Sequence, residues 1–134
     1  MVTNEIRSSL KQALTELRIA EHELNRPHEE VVTMSVCYSA RQSMTSMLRV
    51  FLLSHSMNHN EGNSLKNILN QCIKIDDQFS KIDVSAVLCN GMNHDECDGK
   101  YCLTVDKVNE CVSAANQFKT LVLEKLKINE SELN

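Results

Sequence analysis

Apolar side chains recur every three to four positions along most of the chain, and that period predicts helices rather than strands. The first helix is expected from about residue 4 to 25, with Thr3 placed to cap it and Ile6, Leu10, Ala13, Leu14, Leu17 and Leu24 on one face. Projected at 3.6 residues per turn, Glu5, Glu16 and Glu23 line one flank of that stripe, and Arg7, Lys11 and Arg18 line the other. Such flanks suit ion pairing with neighbouring helices or with a second subunit. Pro27 then permits a turn or the opening of the next helix.

The second helix is expected over 28–56 and is the longest, with Val32, Val36, Ser39, Ala40, Ser43, Met47, Val50 and Ser54 as its main stripe. Ser39, Ala40 and Ser43 are small enough to let a neighbouring helix approach closely. From 47 to 53 the pattern is apolar nearly all round, as in a central helix touching several partners. A polar loop with Gly62 as breaker leads to Ser64, which can cap a third helix carrying Leu65, Ile68, Leu69, Cys72 and Ile75. A fourth helical segment is expected over 77–88, with Phe79, Ile82 and Ala86 on its apolar edge. The stretch 89–103 is irregular. Thr104 then caps a last helix with Val108, Cys111, Val112, Ala115, Phe118, Val122 and Leu126 at core spacing, and the polar tail 129–134 is expected to fray.

Together these segments predict an all-α fold: one up-and-down antiparallel bundle of four to five helices spanning 1–134 as a single domain. Composition points the same way. Only 3 Gly, 1 Pro and 4% aromatic residues occur, which disfavours a sheet protein with its turn glycines and aromatic strands. The apolar run 47–53 is broken by Arg49 and too short to span a bilayer, and the first residues lack a basic-then-apolar leader, so a cytoplasmic protein with no membrane contact is expected. A net charge of −4 argues against an obligate electrostatic grip on nucleic acid, although all five arginines fall within the first 49 residues and allow a local basic patch.

Two groups of side chains carry candidate chemistry. Cys89, His94, Cys97 and Cys102 stand in a C-x4-H-x2-C-x4-C array, four ligands that could close a tetrahedral zinc site; the competing expectation is a polar loop whose cysteines face the bundle end. Tyr38 and Arg41, three apart on the second helix, could join Lys100 and Tyr101 in lining a nucleotide pocket; the alternative is a solvated tyrosine and arginine. Cys37, Cys72 and Cys111 fall on apolar stripes and read as small core residues. No phosphate loop, helical His pair or nucleophile elbow occurs, and no cofactor is expected.

The stretch 37–69, CYSARQSMTSMLRVFLLSHSMNHNEGNSLKNIL, resembles the signature region of HEPN domains, which are small helical bundles. The small-then-polar step Ala40-Arg41-Gln42, the apolar run 47–53, and the pair Ser64-Leu65 opening the next helix carry the likeness, and the helix order fits over roughly 5–126. The resemblance implies nucleotide or RNA transactions, either as a ribonuclease or as the binding partner of a small nucleotidyltransferase, and it implies a homodimer. The nuclease branch places an arginine, four to six residues and a histidine near the start of its late helix. Here the corresponding place reads Gly99-Lys100-Tyr101-Cys102, with neither residue. Arg49 and His55 satisfy the spacing by count but lie in the second helix, and six positions turn them about 120° apart. The expectation is therefore a non-catalytic HEPN-like module binding a nucleotide, RNA or a partner protein. The alternatives are an RNA-cleaving enzyme using residues such as Arg41, Arg49 or His55, and a purely structural helical adaptor.

Overall fold

Thr3 starts the first helix as its hydroxyl accepts the Ile6 N–H at 3.1 Å, and α1 runs Asn4–Leu24. In the computed structural model, which describes residues 3–27, 31–55, 64–84 and 105–133, three further helices follow: α2 (Thr33–Ser54), α3 (Leu65–Ile75) and α4 (Val105–Leu126). Among the described residues there is no strand, and no helix is long and apolar enough to cross a membrane.

Two hydrogen bonds fix how α1 and α2 run. The Val32 N–H donates to Glu23 Oε2 at 2.9 Å, and the Ser43 hydroxyl donates to the Ala13 carbonyl at 2.7 Å. As numbers rise along α2 they fall along α1, so the pair is antiparallel. Helix α4 returns along α1, with Asn116 donating to Glu21 at 3.2 Å and the residues after α4 reaching Arg18 and then Arg7. The shorter α3 packs on α2, where the Cys72 thiol meets the Leu48 carbonyl at 3.5 Å. The expected antiparallel, all-α bundle is therefore present.

The core is one continuous cluster. Leu10, Leu14 and Leu17 from α1, Met44, Met47 and Leu48 from α2, Ile68 from α3 and Phe118 from α4 are all buried. A ladder of rings ties three elements together: Phe51 lies 4.7 Å from Phe79, and Phe79 lies 6.3 Å from Phe118. Tilted and stacked aromatic contacts of this kind add roughly 0.5–1.5 kcal/mol each beyond their buried area. Cys37, Cys72 and Cys111 are buried, as their positions on the apolar stripes predict.

Three boundaries differ from the pattern in the sequence. Helix α2 begins at Thr33, not near residue 28, because the Glu23 carboxylate holds the Val32 N–H while Val32 stays extended. The segment after α3 is a five-residue 3₁₀ helix, Asp77–Lys81, followed by 82–84 without helix, where a helical segment over 77–88 is expected; 85–88 lie outside the described residues. Asp76 explains the change: its backbone is extended, and its carboxylate accepts the Gln78 N–H at 3.0 Å, which starts a tight turn that seats Phe79 in the core.

The third difference lies at the C-terminus, where a polar tail was expected to fray. Lys127 takes a left-handed backbone (φ 58°), its N–H donating to the Glu124 carbonyl at 3.2 Å and that of Ile128 to the Leu123 carbonyl at 3.0 Å. This is the Schellman arrangement, with buried Ile128 facing buried Leu123 across it. The chain then turns back as a short 3₁₀ helix, Glu130–Leu133, and Leu133 is buried. Two apolar anchors outweigh the polar composition between them.

Candidate functional site

The outer seam between α1 and α2 opens into a groove of about 200 Å³, lined by Ser9 and Gln12 from α1 and by Ser46, Arg49, Val50 and Leu53 from α2. The spacing explains it. Ser9 and Gln12 are three apart, and Ser46, Arg49, Val50 and Leu53 follow an i, i+3, i+4, i+7 pattern, so each set shares one helix face. Serine at both 9 and 46 leaves room where larger side chains would close the seam. Val50 is buried and Leu53 is exposed, giving the groove an apolar wall.

Arg49 is the charged member. Its Nε is shielded from solvent and has no hydrogen-bond partner. A guanidinium N–H left in that state costs the desolvation of a charged donor without its compensation. Ser9 and Ser46 each add a hydroxyl, and Gln12 an amide. The arrangement can hold a small oxyanion beside a hydrophobic group.

Glu16 lies one turn beyond Gln12 on the same flank of α1. Its Oε2 is also shielded without a hydrogen-bond partner, and burial pushes its carboxyl above the usual carboxylate range. Farther along this flank, Glu23 is engaged. Glu23 takes the Val32 N–H and pairs with Arg26 at 3.1 Å, and that backbone hydrogen bond, followed by Arg26, holds its carboxyl below the usual range.

The residues singled out by sequence do not assemble in this groove. Tyr38 is 52% exposed and Arg41 only 6%, so one α2 turn carries a surface ring beside a buried cation. Lys100 and Tyr101, their expected companions, lie outside the described residues, as do Cys89, His94, Cys97 and Cys102 of the candidate zinc array. Among the described residues no cluster of three or more His, Cys, Asp or Glu could hold a metal ion.

Arg49 and His55 do not converge. His55 lies tilted against Phe51, ring centroids 4.6 Å apart, on the side of α2 where Phe51 meets Phe79, whereas Arg49 lines the groove at the α1 seam. The groove itself was not foreseen, although the run of small polar residues on α2 continues from Ser39 and Ser43 to Ser46 and marks the line where α1 comes close. No family model, no curated protein and no solved structure matches the chain.

Proposed function

We propose that this chain is a non-catalytic, HEPN-like helical module that binds a phosphate-bearing ligand, a nucleotide or the end of an RNA, in the groove between α1 and α2. The observation that carries this reading is the arginine, Arg49, in the wall of a cavity edged by two serine hydroxyls and a glutamine amide. Guanidinium with neutral donors suits phosphate, and the apolar wall of Val50 and Leu53 suits a base or sugar face. The separation of Arg49 from His55 favours binding over cleavage.

Calorimetric titration of the full chain tests it, using adenosine monophosphate, adenosine triphosphate and a short RNA with and without a 5′ phosphate. Heat is expected from the phosphorylated ligands, with the RNA recovered intact. A charge-assisted hydrogen bond contributes about 1.5–3 kcal/mol, so Arg49→Met should weaken binding by roughly tenfold or more while the helical spectrum stays unchanged. Absence of heat from every phosphorylated ligand, or equal binding by the Arg49→Met chain, overturns the proposal.

A further inference from the structure

On the opposite flank of α1, Arg7 and Arg18 are already holding anions, and those anions belong to the chain itself. Glu130 lies between two helices, with Oε2 at 3.8 Å from Arg18 of α1 and Oε1 at 3.3 Å from Lys119 of α4. Glu132 meets Arg7 at 3.2 Å. One carboxylate clamped by cations from two elements is the geometry a phosphate would take in the same place.

We infer that the α1–α4 seam is a second binding site, for a linear chain of phosphates, and that the C-terminal 3₁₀ helix occupies it as a built-in competitor. Arg7, Lys11 and Arg18 share one flank of α1 over about 16 Å of helix, too long for a single phosphate and suited to several in a row. Lys119 adds a fourth cation from α4. Glu21 of α1 accepts a hydrogen bond from Asn116 of α4 at this seam.

The competitor is built to exchange. The side chains of Arg7, Arg18, Glu130 and Glu132 are each more than 40% exposed, and exposed ion pairs hold weakly and are screened by salt. The segment is tethered independently of its charges by buried Ile128 and Leu133. Neutralising the two glutamates therefore unmasks the strip without releasing the tail. This site shares no residue with the Arg49 groove, so the two readings stand or fall separately.

The test is fluorescence anisotropy on the full chain with a labelled short oligouridylate, alongside competition by inorganic polyphosphate and by adenosine monophosphate. The Glu130→Gln/Glu132→Gln chain should bind the labelled strand severalfold more tightly than the wild type, with the gain shrinking as salt is raised. Arg18→Gln/Lys119→Gln in that background should remove the gain, while Arg49→Met should leave it. Competition by polyphosphate supports a polyphosphate source as well as a nucleic acid, and its failure assigns the strip to the nucleic acid. Adenosine monophosphate should compete poorly; if it displaces the strand as well as the longer chains do, no row of phosphates is being read and the inference fails. A glutamine double variant with the native helical spectrum that binds no more tightly than the wild type also overturns it.

Discussion

The hydroxyl of Ser43 donates a 2.7 Å hydrogen bond to the carbonyl oxygen of Ala13, joining the antiparallel helices α1 and α2 deep in the core. Both residues are fully buried, and their size sets how closely α1 and α2 approach. Ser43→Ala keeps the small volume and loses the bond, so a cost of about 1 kcal/mol is expected. Ser43→Leu adds volume where the backbones meet and should cost about 1–3 kcal/mol through overpacking. Urea unfolding monitored by circular dichroism checks both, read as a lower midpoint at unchanged slope. A leucine variant as stable as the wild type would mean that the seam has slack at this level.

Lys127 has no glycine's freedom, yet it occupies the left-handed position that ends α4. A side chain with a Cβ is strained there, and glycine is not. Lys127→Gly should therefore stabilise the protein by roughly 0.5–1 kcal/mol, while Lys127→Val should destabilise it, since a β-branched residue fits that region worst. Thermal unfolding of the pair should move in opposite directions. A glycine variant that melts lower would indicate that the lysine side chain, rather than the backbone it imposes, matters at this corner.

The helices could be read from the sequence where a long apolar stripe recurs, as in Ile6–Leu17 and Val108–Leu126, because burial of a periodic face dominates those segments. The failures occurred where one side chain overrode the period. Asp76 turned a stripe of Phe79 and Ile82 into a single 3₁₀ turn, and Glu23 delayed the start of α2 by capturing the Val32 N–H. The docked C-terminus was illegible for a different reason: it rests on Ile128 and Leu133, five apart and separated by polar residues, with a lysine where a glycine would have signalled the turn. The basic flank of α1 was visible as a flank, but its partners Glu130 and Glu132 are more than 110 residues away, beyond any local pattern. The groove was hidden because serine at 9 and 46 matters only once two helices meet.

Cys72 packs against the Leu48 carbonyl, and burial pushes its thiol up to about 12. At pH 8 roughly one part in ten thousand is then thiolate, the form that reacts with alkylating agents. Iodoacetamide should leave Cys72 unmodified in the native protein and label it readily in concentrated urea, as followed by mass mapping of the Cys72 peptide. Labelling of the native chain at the rate of a free thiol would show that α3 opens away from α2 far more often than its buried contacts imply.

Glu16 and Asp76 should give the protein opposite responses to acid. Burial raises the Glu16 carboxyl, so the folded state binds its proton more tightly than the unfolded state does. Its contribution is therefore fully favourable below the ordinary carboxylate range and is lost as pH rises through the raised value. Asp76 is the reverse: Lys125, at 2.8 Å, and the Gln78 N–H hold its carboxyl low, so its contribution is present above the ordinary range and is lost as pH falls through the depressed value. At neutral pH, Glu16→Gln should raise the melting temperature and Asp76→Asn should lower it. Both differences should close on acidification, that of Glu16→Gln first, because its titration lies higher. Melting curves of the three chains from neutral pH downward decide the matter. A Glu16→Gln chain no more stable than the wild type at neutral pH would show that the carboxylate finds solvent or a partner, and would weaken the account of the α1–α2 groove as a place where charge is held out of water.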